Sequence, residues 1–196
     1  MKRVLLGLGS NKAYEGHSSL ELLSLARKEL ALLMTDCHFS SVYRTKAMYV
    51  ENQADFYNMV ALGYLAEDCN PFDFLHKINE IEAKYGRERE NEIRFGPRSL
   101  DIDIELFGDE IVNSPILQIP HPRMEERAFV LVPALEILTN PADDLLRKKY
   151  GQCLEKLQNE GKACGIEKVP DFSVFSEAVE NGAGKKLGLN SNCCKA

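Results

Sequence analysis

The chain has 196 residues, 44% of them hydrophobic and 28% charged, which is the make-up of a globular protein with one domain-sized core. Its formal net charge of −6 argues against the broad basic field of a nucleic-acid binder or an anionic-membrane binder. The six cysteines form no Cys-x-x-Cys pair, and the one apolar run near the start is too short for a signal or a membrane span, so a reducing, cytoplasmic setting is expected.

In chain order, residues 2–8 read as a buried strand that ends in the turn Gly9-Ser10-Asn11. Ser18 and Glu21 form a capping box, and Leu23, Ala26, Leu30 and Leu33 then recur at helical spacing. Residues 39–45 and 57–65 are rich in aromatic and β-branched side chains and read as strands. Asn70-Pro71 gives an N-cap and a first-turn proline for a second helix, with Phe74, Ile78, Ile81 and Tyr85 as its apolar stripe and Gly86 as its stop. Residues 100–107 form the next strand, and a turn at 108–110 leads to a short strand near Ile111-Val112. The order β-α-β-β-α-β is that of a ferredoxin-like α+β domain built on an antiparallel sheet. Two long connections, 46–56 and 87–99, are candidate lids. Beyond residue 140 one more helix is expected, capped at Asp143 or Asp144, with Leu146, Tyr150, Cys153 and Leu157 on one face. The domain is expected to span 1–165, followed by a polar, loosely held extension over 166–196.

The most informative stretch is Arg94-Phe-Gly-Pro-Arg98-Ser-Leu-Asp101-Ile-Asp103-Ile-Glu-Leu106. Strand side chains alternate, so Asp101 and Asp103 share a face at a Cα spacing of roughly 6–7 Å, while Ile102, Ile104 and Leu106 point into the core. Two close carboxylates call for a cation, and hard oxygen ligands suit Mg²⁺ carried in with substrate phosphates. Arg94 and Arg98 flank the Gly-Pro turn, where guanidinium forks match phosphate oxygens. Between residues 85 and 146 there is no lysine, yet six of the ten arginines fall there: Arg87, Arg89, Arg94, Arg98, Arg123 and Arg127.

His121, fixed between two prolines and near Arg127, is a candidate phosphate donor. Phe56, Phe95 and Phe129 are candidates to stack on a flat heterocycle, and Asn58 to meet its polar edge. Gly7-Leu-Gly9 is not a dinucleotide fingerprint, because the third glycine is missing and no parallel-sheet pattern follows.

The block from Arg94 to Ile104 resembles the signature of the 6-hydroxymethyl-7,8-dihydropterin pyrophosphokinases of folate biosynthesis. Weaker stretches agree in order: Gly9-Ser10-Asn11, Tyr43-Arg44-Thr45, Gln53-x-Asp55-Phe-Tyr-Asn58, Gly86-Arg87-x-Arg89, Pro120-His121 and Arg127-x-Phe129. The resemblance implies a three-layer α-β-α domain around the ferredoxin-like core. It also implies transfer of the β,γ-pyrophosphate of MgATP to the pterin hydroxymethyl oxygen, with release of AMP. By that resemblance Asp101 and Asp103 hold two Mg²⁺ ions; Arg87, Arg89, Arg94, Arg98, His121 and Arg127 contact the phosphates; and Glu82 lies near the nucleoside. Arg87, Arg98, Asp101 and Asp103 carry the catalysis, and Thr45, Phe56, Asn58, Phe95 and Phe129 form the pterin pocket. The expected partners are therefore ATP and a reduced pterin, bound by a monomer that engages neither nucleic acid nor membrane. The chain departs from the family pattern at Lys46-Ala47-Met48, at Phe56 and at Pro122.

Overall fold

The computed structural model describes residues 1–47, 53–88 and 96–170. Strand β1 (Lys2–Ser10) leads into helix α1 (Ser19–Leu33), followed by β2 (Thr35–Phe39), β3 (Tyr43–Thr45) and β4 (Phe56–Leu65). Helix α2 (Pro71–Lys84) connects to β5 (Asp101–Phe107), and β6 (Val112–Asn113) pairs with β7 (Gln118–Ile119) as a separate ribbon. Helices α3 (Ala128–Ile137) and α4 (Asp144–Asn159) follow, then a last strand, β8 (Glu167–Lys168).

The local signals act where the sequence places them. Glu21 N–H donates to Ser18 Oγ while the Glu21 carboxylate accepts from Ser18 N–H at 2.7 Å, closing the capping box. Asn70 Oδ1 accepts from Phe72 N–H at 2.8 Å, and Pro71 starts α2. Past α2 the chain turns at Gly86 with φ +84°, and a Cβ there would lie 2.2 Å from the Tyr14 ring, so only glycine fits.

The main sheet runs β5-β1-β4-β3-β8, with β2 also paired to β4, and every pairing is antiparallel. This is the expected ferredoxin-like order, with the second strand split at residues 40–42 into β2 and β3. Val4, Leu6 and Leu8 pack with Leu22, Leu23 and Leu30 of α1 and with Phe74 and Ile78 of α2. On the opposite face Leu5, Val60 and Leu62 pack with Leu131 and Ala134 of α3 and with Tyr150 and Leu157 of α4. Each fully buried leucine contributes about 1.5–3 kcal/mol by leaving water, which holds the three α-β-α layers together.

Three features differ from the sequence reading. Leu106 does not join Ile102 and Ile104: the β1–β5 register passes from Leu5↔Leu106 to Leu6↔Ile104, leaving Glu105 as a bulge, and Leu106 turns to the α3–α4 face. Helix α3 carries no polar stripe and contains Pro133, which cannot donate to the carbonyl one turn earlier, so periodicity does not reveal it. The sheet also runs past residue 165, because β8 pairs with Tyr43 and Arg44, and Val169 N–H donates to the Val42 carbonyl at 2.8 Å. The remainder of the expected extension, 171–196, lies outside the described residues.

Candidate active site

The two glycines of β1 open a cavity on the α3–α4 face. Gly7 lies opposite Asp103 and Gly9 opposite Asp101 on one side, and Gly9 opposite Asn58 on the other. With no Cβ at these positions, the cavity is walled by Thr45, Phe56, Asn58, Asp101, Asp103, Arg98, Arg127 and Phe129. Lys46, Gln53 and Gly96, from the described ends of the two long connections, also line it. No helix among the described residues is long and apolar enough to cross a membrane.

Asp101 and Asp103 share the cavity face of β5, as alternation predicts, and arginines from three separate segments converge on them. Arg87 Nη1 donates to Asp101 Oδ1 at 2.5 Å and also pairs with Glu82. Arg98 Nη1 pairs with Asp101 Oδ2, and Arg127 Nη1 donates to Asp103 Oδ2 at 2.8 Å. Burial pushes the Asp101 carboxyl upward, but the charges of Arg87 and Arg98 outweigh it and hold the group below the usual carboxylate range. The Arg127 guanidinium also stands 5.7 Å from the Phe129 ring centre.

Asn58 Nδ2 donates to Thr45 Oγ1 at 2.9 Å, which leaves its Oδ1 beside Gly9. Thr45, Phe56, Asn58 and Phe129 are thus brought to one cavity. Glu82, expected near the nucleoside, is not among the residues lining this cavity. It is buried, and its carboxylate accepts from Ile102 N–H at 2.7 Å and from Arg87, so it anchors the start of β5 and one guanidinium instead of facing the cavity. His121 does not line the cavity. Its Nδ1 accepts from Arg123 N–H at 3.2 Å, which puts the ring proton of the neutral imidazole on Nε2. Arg89, Arg94 and Phe95 lie outside the described residues.

Two polar groups carry roles that sequence reading did not assign. Asn11 joins both long connections to the end of β1: its Oδ1 accepts from Arg98 N–H at 2.7 Å, and its Nδ2 donates to Gln53 Oε1 and to the Ala54 carbonyl, each at 3.1 Å. Glu105 lies fully buried on the cavity floor with both carboxyl oxygens unpartnered. Burial, with the charges of Asp103 and Asp101, pushes its carboxyl well above the usual range, against the pull of Arg127. Glu105 Oε2 lies 3.6 Å from His121 Nδ1, and burial raises the carboxyl as it lowers the imidazole, so desolvation works against an ion pair at this contact. Period-two alternation puts Glu105 on the face of Asp101 and Asp103; what the sequence does not show is that packing leaves its carboxyl buried there without a hydrogen-bond partner among the described residues.

An α+β domain with carboxylates and arginines converging on an aromatic-walled cavity has the make-up of a group-transfer enzyme for phosphorylated substrates. The family model of the 7,8-dihydro-6-hydroxymethylpterin-pyrophosphokinases matches residues 5–139. The 2-amino-4-hydroxy-6-hydroxymethyldihydropteridine pyrophosphokinase of Aquifex aeolicus is 35% identical over 148 residues, covering 76% of this chain and 88% of that protein. The protein of the same description from Bacillus subtilis is 39% identical over 132 residues, covering 67% of this chain and 75% of its own length. A crystal structure of Plasmodium falciparum HPPK-DHPS superposes with a TM-score of 0.61 at 14% identity, over 85% of this chain and 48% of that one, and shows the shared fold. The chain thus spans about half the length of that solved structure. The chain belongs to the 7,8-dihydro-6-hydroxymethylpterin-pyrophosphokinase family.

Proposed function

We propose that the cavity between β5 and α3 is the catalytic centre, with Asp101 and Asp103 receiving Mg²⁺ and the arginines receiving the triphosphate. As a family member, the chain is an ATP-dependent pyrophosphokinase of folate biosynthesis that acts on the hydroxymethyl group of 6-hydroxymethyl-7,8-dihydropterin. The acceptor hydroxyl releases its proton as its oxygen attacks the β-phosphorus, the bond from that phosphorus to the α-phosphate oxygen breaks, and AMP leaves carrying that oxygen.

The observation that carries the site assignment is the convergence of Arg87, Arg98 and Arg127 on the two strand-borne aspartates. Among the described residues no cluster of three or more histidine, cysteine or acidic side chains is placed to hold a metal. Two carboxylates without further protein ligands suit Mg²⁺, which retains waters and takes phosphate oxygens. Two ions would suit this donor pair, with Asp101 and Asp103 as the protein ligands. Bound there, magnesium supplies charge neutralisation for the triphosphate and acidifies a hydroxyl in contact with it.

The chain's own residues do the rest. Arg87, Arg98 and Arg127 exchange carboxylate partners for phosphate oxygens and hold the triphosphate in line with the acceptor, helped by Arg89, Arg94 and His121. Phe56 and Phe129 hold the pterin ring by its faces, Phe95 is a further candidate for that role, and Asn58 and Thr45 meet its polar edge. The two long connections close over both substrates and exclude water. The domain extends at least through β8, and the enzyme acts as a cytoplasmic monomer, bound to neither nucleic acid nor membrane.

The test is to incubate the protein with MgATP and 6-hydroxymethyl-7,8-dihydropterin, with Asp101→Ala as control. Pterin-dependent AMP, lost in the variant, supports the reading. ADP as the nucleotide product overturns the mechanism.

A further inference from the structure

The Glu105 carboxyl sits where a core side chain would be expected to be apolar. It is fully buried, it lines the cavity, and neither oxygen has a hydrogen-bond partner among the described residues. Buried polar groups are nearly always satisfied, so an orphaned pair of oxygens facing a cavity calls for a partner from the ligand. Strand alternation puts Glu105 on the cavity side together with Asp101 and Asp103, and the bulge there leaves it without a cross-strand partner on β1. Across the sheet, Gly7 gives it room: a Cβ at that position would lie 2.8 Å from Glu105 Oε1. The glycine in β1 and the bulged glutamate in β5 therefore act together, the first clearing the cavity floor and the second lying across it.

We propose that Glu105 is a further substrate-binding residue, whose carboxyl exchanges a hydrogen bond with an N–H or O–H group of the pterin acceptor on the cavity floor beside Gly7. This rests on the reading of the cavity as the pterin site. Its neighbours define the contact. Phe56 and Phe129 offer faces to a ring, Thr45 and Asn58 already satisfy each other in part, and Asp101 and Asp103 are occupied by arginines. Among the described residues, Glu105 is the carboxyl of this cavity that no side chain engages by a hydrogen bond. Ligand discrimination follows from this, because a heterocycle with no polar group at that edge would leave the carboxyl unpaired when bound.

The experiment measures pterin affinity by equilibrium titration in the presence of Mg²⁺ and a non-hydrolysable ATP analogue, alongside nucleotide affinity and melting temperature. Glu105→Gln keeps the shape and a hydrogen-bonding tip. Glu105→Met and Glu105→Ala remove the polar group at two different volumes, so agreement between them separates bonding from packing. The expected result is pterin affinity weakened about tenfold in both apolar variants and within about threefold of wild type in Glu105→Gln, with nucleotide affinity unchanged. Wild-type pterin affinity in Glu105→Met overturns the proposal, as does an equal loss for pterin and nucleotide. If the wild-type protein itself fails to bind pterin, the reading of the cavity falls and the proposal with it; the variant results do not bear on that reading.

Discussion

Asn11 and Arg98 clasp each other by backbone and side chain: Asn11 Oδ1 accepts from Arg98 N–H at 2.7 Å, and the Arg98 carbonyl accepts from Asn11 N–H at 2.9 Å. The clasp fixes the end of the arginine-bearing connection onto the end of β1, next to Asp101. The same amide holds Gln53 and Ala54 of the other long connection. One asparagine thus registers both candidate lids against the carboxylates.

Asn11→Ala removes three side-chain hydrogen bonds from that junction. We expect kcat/KM to fall about 10²-fold through misplacement of Arg98, with a stability loss of about 1–3 kcal/mol. Steady-state kinetics beside a denaturant titration check both, and unchanged kcat/KM would show that the clasp does not position the arginine.

Arg98→Ala leaves Asp101 with Arg87 as its nearer guanidinium. Loss of one charge-stabilising donor at a transferring phosphoryl group costs about 10²–10³ in kcat. Arg98→Lys should recover little, because a point charge does not reproduce the fork that grips two oxygens. Initial rates of AMP release for the two variants test this.

Phe129 stands at the start of α3, on the cavity wall. Phe129→Leu keeps most of the apolar volume but removes the ring face. Pterin KM should rise about tenfold with ATP KM unchanged, the loss expected for a stacking partner. An equal rise in both constants would place Phe129 outside the pterin subsite.

Glu136 of α3 accepts from Ser41 N–H at 3.0 Å, Ser41 Oγ at 2.6 Å, Tyr43 Oη at 3.1 Å and Lys168 Nζ at 3.1 Å, tying α3 to β3 and β8. Partial burial raises its carboxyl, but these donors outweigh it and set the group below the ordinary value of 4.5. A depressed acid contributes stability that is present above the ordinary value and lost as pH falls through the lower folded one. Melting temperatures of wild type and Glu136→Gln should therefore converge as pH drops from about 6 to about 3. A gap that stays constant across that range would show that the carboxylate charge is not what ties α3 down.

Much of the site was legible in the sequence because its pattern is local. A period of two put Asp101 and Asp103 on one face whatever the strand paired with, and the caps at Ser18 and Asn70 set helix starts without tertiary help. Thr45 was grouped with Asn58 by the resemblance alone; in the structure their strands are direct neighbours and both line one cavity. Helix α3 was hidden because a segment apolar at every position but Glu136 carries no period to read, and Pro133 argues against a helix until packing on the sheet compensates.

The sequence by itself determined the order of elements, the shared face of the two aspartates and the family. Each of these follows from residue type and spacing along the chain. Which arginine meets which aspartate was decided by the tertiary structure, as was the turning of Glu82 into the protein and the turning of Leu106 away from Ile102 and Ile104. The physical reason is the same in all three cases. A bulge exists only relative to a partner strand, and an ion pair joins segments far apart in the chain, so neither is written in local periodicity.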